Sequence, residues 1–323
     1  MIKIVIDTLG ADAGLTPVVT GVAKALREGM DFFPVLVGPA QQIREMMADI
    51  PPQRYELVDC QSFIRNEDPP TAIFGEGNQT SMAVAYDRLK KDDSCNAMLS
   101  PGNTGALLVG SICRLGLLPG LKFPALASAL PCNGEKLVCL VDCGANVECT
   151  ADDLVRFAKM GNGLAKSYCG IPQPRLGLMS VGRERQKGTP LTQQAFEKIS
   201  ALGLNFVGNV EGSDMVTDYV DVIVTDGFSG NLLLKCAESV GKAAMQIVEK
   251  YCQDPATKEK LCQVLFETFD FNSQGAATFL GPKKTVVKMH GAANAETAVA
   301  SIAQILRLEN AHFSQVVAEE LAK

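Results

Sequence analysis

The stretch Ala97-Met98-Leu99-Ser100-Pro101-Gly102-Asn103-Thr104-Gly105-Ala106 decides the fold. Three apolar residues reach a serine, and a polar, glycine-rich turn follows. An apolar run without alternation suits a strand covered on both faces, as in a parallel sheet. The turn has the composition of a loop leading into a helix N-terminus. The same order recurs along the chain. Lys3–Ile6 leads into Asp7-Thr8-Leu9-Gly10-Ala11-Asp12, and Leu137–Val141 into Asp142-Cys143-Gly144-Ala145-Asn146-Val147-Glu148. Val220–Val224 leads into Thr225-Asp226-Gly227-Phe228-Ser229-Gly230-Asn231, while Val35–Val37, Arg175–Val181 and Asn205–Val207 are further strand candidates. Helical spacing lies between them. Thr16-Pro17 reads as a cap and first turn ahead of Val19, Val22, Ala23 and Leu26. Leu234, Ala237, Val240, Ala244, Ile247 and Tyr251 trace one helix face, and Val299, Ile302, Ile305, Leu306, Phe313, Val316 and Val317 fit one or two terminal helices. Strands alternating with helices imply a three-layer α/β fold with a mainly parallel sheet. With no repeat or linker in view, residues 1–323 read as a single α/β domain.

Composition narrows the function. The chain has 323 residues, of which 47% are hydrophobic, enough for a core and too many for disorder. A net charge of −6 leaves no basic excess for nucleic-acid phosphates. Eleven cysteines without a CxxC pattern point to a reducing cytosol. The start, Met1-Ile2-Lys3-Ile4-Val5-Ile6-Asp7, carries no signal-peptide core, so a cytoplasmic location is expected. The uncharged stretch from Asn96 to Cys113 is broken by Ser100, Pro101, Asn103 and glycines, which argues against a membrane span.

In open α/β sheets ligands bind beyond the carboxyl ends of the strands. Glycine there lets the backbone approach a ligand and aim N–H groups at an anion. Four such loops converging at one sheet edge would form an anion site, with Ser100, Asn103, Thr104, Ser229 and Asn231 adding neutral donors. Other chemistries are poorly supplied: there is no GxGxxG after the first strand, no GxxxxGK[ST] and no HExxH. The only histidines are His290, after Val286-Val287-Lys288-Met289, and His312, inside a helical pattern. They cannot make a His-rich metal site. Phosphate already carries a nucleophilic charge, and a thiol leaving group has a pKa of about 8.5. Joining phosphate to a thioester therefore needs positioning and oxyanion donors more than a strong base.

Several motifs, in order and nearly end to end, resemble the PlsX family of phosphate acyltransferases. Ser100-Pro101-Gly102-Asn103-Thr104-Gly105-Ala106 matches the family's SAGNTGA, and Gly144-Ala145-Asn146-Val147 its GANV. Phe157-Ala158-Lys159-Met160-Gly161, Gly208-Asn209-Val210-Glu211, Asp226-Gly227-Phe228-Ser229-Gly230-Asn231 with Leu234-Lys235, and Lys288-Met289-His290-Gly291 match others. Departures are Ala11 in place of a glycine, and Ile73-Phe74-Gly75-Glu76-Gly77 in place of a basic run before Asn78-Gln79-Thr80-Ser81-Met82. Glu148 stands for the family's Asp, and the helical excursion at about 246–271 is shorter than usual.

The resemblance implies an isocitrate/isopropylmalate dehydrogenase-like fold. It also implies conversion of acyl carrier protein thioesters and inorganic phosphate into acyl phosphate and free carrier, feeding phospholipid synthesis. A homodimer, a peripheral contact at the inner face of the membrane, and no metal or organic cofactor are implied too. Carried onto this sequence, Lys187, His290 and Asn103 are the catalytic candidates. Ser100, Gly102, Thr104, Gly105, Asp226, Gly227, Ser229, Gly230, Asn231 and Lys235 are candidates for phosphate and substrate binding. Asp7, Asp12 and Asp226 read as loop-bracing acceptors. Phe228, Leu232, Leu233 and Phe279 are expected to line an acyl groove. Arg183, Arg185, Lys283, Lys284 and Lys288 are candidates for a docking patch facing the acidic carrier. Two alternatives stay open, a short-chain acyl-CoA phosphotransacylase and a non-catalytic paralogue that binds acyl groups or partners.

Overall fold

A computed structural model describes residues 1–132, 136–269 and 276–323. They group into two compact units, residues 1–124 with 276–315, and residues 125–269 with 316–323. Both lie within the stretch read from the sequence as one domain.

The first unit holds strands β1 (Ile2–Asp7), β2 (Phe32–Gly38), β3 (Glu56–Asp59), β4 (Cys95–Ser100), and, from later in the chain, β10 (Ala277–Leu280) and β11 (Thr285–Lys288). Their spatial order is β3-β2-β1-β4-β11-β10. All neighbours are parallel except the antiparallel β10–β11 pair. Ile4, Val5 and Ile6 are fully buried although successive side chains point to opposite faces, so β1 is covered on both sides. The helices are α1 (Thr16–Arg27), α2 (Ala40–Met46), α3 (Ser81–Lys91), α4 (Thr104–Gly110) and, near the end, α9 (Ala295–Asn310). Thr16 opens α1 with Pro17 in its first turn, but Leu15 occupies the cap position and no side chain caps it. Helix α1 packs on α9, where Gly21 is closed in by Ala295 and Ala298. That face is the apolar stripe the 3.6-residue spacing anticipates.

The second unit holds β5 (Ala125–Cys132), β6 (Lys136–Val141), β7 (Leu176–Met179), β8 (Phe206–Val210) and β9 (Val222–Val224), in the order β5-β6-β9-β7-β8. Only the β5–β6 pair is antiparallel. Its helices are α5 (Ala151–Ser167), α6 (Pro190–Ser200), α7 (Gly227–Tyr251) and α8 (Pro255–Phe269). The last helix, α10 (Phe313–Ala322), delivers Val317 against Gly163 of α5. Glu320 is buried there and accepts from Asn162 Nδ2 at 2.8 Å and Lys166 Nζ at 2.7 Å.

Helix α7 differs from its sequence reading. Ala237 is buried, but Val240, Ile247 and Tyr251 on the same apolar spacing are mostly exposed. The excursion read over 246–271 is the end of α7 and all of α8, with Asp254 accepting from Thr257 N at 2.8 Å to cap α8. Its last two positions lie outside the described residues. Leu261 and Val264 of α8 are exposed, while Phe269 packs on Gly241 of α7. Among the described residues no helix is long and apolar enough to cross a membrane.

Candidate functional site

In the first unit, β1, β4 and β11 are parallel neighbours, so the loops that follow them leave one sheet edge. The β1 and β4 loops touch: a Cβ on Gly10 would fall 2.8 Å from Gly102 Cα. Gly10 also sits at φ +92°, a conformation L side chains resist, so glycine is required twice over. Ser100 is fully buried and donates to Asp7 Oδ2 at 2.7 Å, while its Oγ accepts from Gly102 N at 3.1 Å. Burial pushes the Asp7 carboxyl up from 3.8 to about 6, against the Ser81, Ser100 and Leu9 donors and the nearby Lys288 charge. Asp12 meets the β11 loop, its N–H donating to Gly291 O at 2.8 Å and its carboxylate accepting from Asn66 Nδ2 at 3.4 Å. Asp7 and Asp12 thus hold loops in place.

Asn103 is buried and heavily engaged. Its Oδ1 accepts from Ala106 N at 2.9 Å, capping α4, and its Nδ2 donates to the carbonyls of Arg65, Asn66 and Asp68 at 3.0–3.2 Å. Both amide hydrogens are occupied by the 65–68 loop, so the side chain shapes this region instead of presenting donors outward. Gly105 packs on Pro70, where a Cβ would come within 2.7 Å, and Thr104 beside it is half-buried. His290 is exposed, and its Nδ1 accepts from Ala292 N at 3.1 Å, which places the proton of a neutral imidazole on Nε2.

The second unit gathers the β6 and β9 loops. Asp142 is fully buried, and its two oxygens accept five N–H groups, from Leu126, Gly144, Ala145 and Asn146 of the main chain and from Asn146 Nδ2, at 2.6–3.1 Å. Burial still pushes this carboxyl above its ordinary value. Gly227 donates its N–H to Asn146 O at 2.8 Å, and Gly230 passes so close to Asp142 O that a Cβ would lie 1.9 Å away. Asp226 caps α7, accepting from Ser229 N and Ser229 Oγ, both at 2.8 Å, so it braces the loop as read. Asn231 is exposed, with its Oδ1 3.7 Å from where a Gly144 Cβ would stand. Cys143 and Cys149 line the same loops, but burial pushes both thiols up to about 12, which leaves almost no thiolate near neutral pH.

The cations are placed unevenly. Lys187 is exposed in the turn after β7, with no carboxylate in ion-pair distance among the described residues. Lys235 pairs with Glu238 at 2.8 Å. The docking patch does not stand out as read. Arg183 binds the buried Asp214 and stacks on Tyr219, and Arg185 pairs with Glu197. Lys284 donates to the carbonyls of Leu89 and Asp92, and Lys288 to those of Pro101 and Met289, leaving Lys283 exposed. Phe279 is fully buried in β10 and cannot line an open groove, whereas Phe228 and Leu232 are largely exposed and Leu233 half-buried on α7. The role of Asp142 was not assigned from sequence. Its signal is an aspartate ending an apolar strand ahead of Gly-Ala-Asn, an arrangement in which the side chain closes a turn on following N–H groups.

Fold and loops together define an α/β protein whose glycine turns cluster at the carboxyl ends of parallel strands, the usual place for a ligand in this class. The chain belongs to a family described as fatty acid synthesis protein, which matches residues 2–316. It is 36% identical over 318 residues to a phosphate acyltransferase of Helicobacter hepaticus, covering 95% of this chain and 93% of that protein. A phosphate acyltransferase of Clostridioides difficile is 32% identical over 332 residues, covering 99% and 96%. Among solved structures, a phosphotransacetylase from Streptococcus pyogenes superposes with a TM-score of 0.64 at 17% identity, over 95% of this chain and 94% of that one, a likeness of fold.

Proposed function

We propose that this chain is a phosphate acyltransferase of fatty acid and phospholipid synthesis, moving an acyl group from an acyl carrier protein thioester to inorganic phosphate. The observation that carries the reading is its near full-length relationship to proteins named phosphate acyltransferase. A phosphate oxygen attacks the thioester carbon, the C–S bond breaks, and the carrier leaves as a thiolate that takes a proton. We assign the Thr104 hydroxyl, the Gly105 N–H and the exposed Asn231 amide to phosphate and the carbonyl oxygen, and charge balance to Lys187. The Ser100 hydroxyl and the Gly102, Gly227, Ser229 and Gly230 donors are bonded within their loops and shape them. Lys235, already paired with Glu238, would add to it. His290, with its proton on Nε2, would serve the leaving sulfur. Asn103 acts as a positioning residue, because its donors hold the 65–68 loop.

The exposed stripe Phe228, Leu232, Val240, Ile247 and Tyr251 along α7 is the surface we assign to a second copy of the chain. An apolar face of this length is uncommon on a surface left in water. A peripheral membrane contact would draw on the exposed Leu261 and Val264 of α8.

Release of free thiol from palmitoyl carrier protein tests the reaction. Release that requires phosphate is expected, with acetyl-CoA a poor substitute. Lys187→Ala should lower kcat on the order of a hundredfold, as loss of one transition-state partner does. Release independent of phosphate, or none at all, would overturn the proposal.

A further inference from the structure

Asp7 is an expensive way to brace a loop. Its carboxyl is buried at the end of β1, with the Lys288 charge nearby. Hydrogen bonds reach it from Ser100 Oγ at 2.7 Å and Leu9 N at 3.2 Å, and Ser81 faces it from α3. A neutral side chain could accept both without the desolvation cost of a charge. What a charge adds is direction. An ionised Asp7 can only accept, so Ser100 must turn its proton toward it, and the serine's lone pairs then face Gly102 N–H at 3.1 Å. A protonated Asp7 becomes a donor to Ser100 Oγ, and the serine proton must find another acceptor. A second hydroxyl faces the carboxyl: Ser81 Oγ, buried at the start of α3, favours its charged form. The chain carboxyl–serine–amide thus links the end of β1 to the turn that follows β4.

We propose that Asp7 is a positioning residue for acyl transfer that acts through Ser100, its charge orienting the serine hydroxyl and so fixing the Gly102 turn in its working shape. This rests on the acyltransferase reading of the same loop. The groups facing Asp7 are Ser81 and Tyr86 from α3, Ser100 and Gly102 from β4 and its turn, Lys288 from β11, and Cys60 after β3. Burial raises the Tyr86 hydroxyl and the Cys60 thiol, so both stay neutral in the range that matters, and Lys288 favours the charged carboxylate. With Asp7 held at about 6, the turn changes state between mildly acid and neutral solution.

Two measurements on the full chain test this. The first is the 15N shift of the Gly102 amide against pH without substrate, which should titrate near pH 6 in the wild type and stay flat in Asp7→Asn. The second is kcat/KM for phosphate-dependent thiol release from pH 5 to 8. It should rise through the same pH in the wild type. Asp7→Asn and Ser100→Ala should be at least about tenfold slower at pH 8 and lack that inflexion, since hydrogen bonds to charged groups are among the stronger ones. Ser81→Ala removes a donor that favours the charged form and should move the inflexion upward. An inflexion that moves with Ser81→Ala is assigned to Asp7, the carboxyl that Ser81 faces. A Gly102 amide that does not titrate, or an inflexion unmoved by Ser81→Ala and retained in Asp7→Asn, overturns the proposal. If Asp7→Asn does not fold, the wild-type and Ser81→Ala curves still decide it. An inactive wild type would sink the acyltransferase reading, while the amide titration would continue to judge the Asp7–Ser100–Gly102 coupling.

Discussion

Gly230→Ala should disable the enzyme while leaving most of its fold standing. The added Cβ would lie 1.9 Å from Asp142 O and 2.9 Å from Thr225 Cγ2, where ordinary contact begins at 3.4 Å. About 1.5 Å of separation must be found, and the Asp142 side cannot supply it. Its carboxylate is tied to five N–H groups and its own N–H donates to Thr225 O at 3.0 Å. The first turn of α7 must move instead, carrying Ser229 and Asn231 with it. A misplacement of about 1 Å at a reacting centre costs on the order of a hundredfold, so kcat/KM for phosphate-dependent thiol release should fall by at least that. Overpacking of this kind destabilises by about 1–3 kcal/mol, which urea unfolding would register. Gly212→Ala is the control in the same unit, because a Cβ there meets only Leu233 Cδ1 at 3.4 Å. A Gly230→Ala enzyme within twofold of wild-type kcat/KM, at an unchanged unfolding midpoint, would refute the reasoning.

Two further outcomes concern stability. Folded Asp7 keeps its proton to about pH 6 but an unfolded carboxyl releases it near 3.8, so the folded state binds more protons between these values and loses stability as pH rises through them. The gap of about two units is worth roughly 3 kcal/mol. The stability of Asp7→Asn relative to wild type should therefore climb by up to that amount from pH 4 to pH 7, and a flat difference in urea titrations would contradict it. Glu320 behaves in the opposite sense: Lys166, Lys323 and Asn162 hold its carboxyl below the ordinary value despite the cost of burial. Its contribution is present above an unfolded value of 4.5 and is lost as pH falls through the folded one. Glu320→Ala strands the buried Asn162 amide and should cost about 2–3 kcal/mol at pH 7, and less at pH 3. An equal loss at both pH values would mean that the carboxylate charge is not what matters.

The sequence made the parallel strands readable wherever an apolar run ended in a glycine turn, as at Ile4–Ile6 before Gly10 and Ala97–Leu99 before Gly102. It hid β3, because Glu56 and Asp59 break the run on a half-buried strand at the sheet margin. It hid β5 as well, where Ser128 and Pro131 interrupt an antiparallel partner of β6. Strands β10 and β11 are four residues each and find their place only by returning to the first unit. At the candidate site, glycine loops were legible because steric demand is local. Asn103 was harder: the carbonyls it binds lie 35–38 residues earlier in the chain. Lys284 and Lys288 read as free charge because nothing in their neighbourhood announces the carbonyls of Leu89, Asp92 and Pro101 that receive them.

The late return of β11 has a consequence during synthesis. It slots between β4 and β10, so until residues 285–288 leave the ribosome the outer rim of β4 has no neighbour on that side. An open strand rim recruits whatever extended peptide is near. A growing chain that already carries the Gly102 turn must therefore wait for almost all of its translation before that rim is closed, and chaperones that shield bare strands would be most needed in this interval.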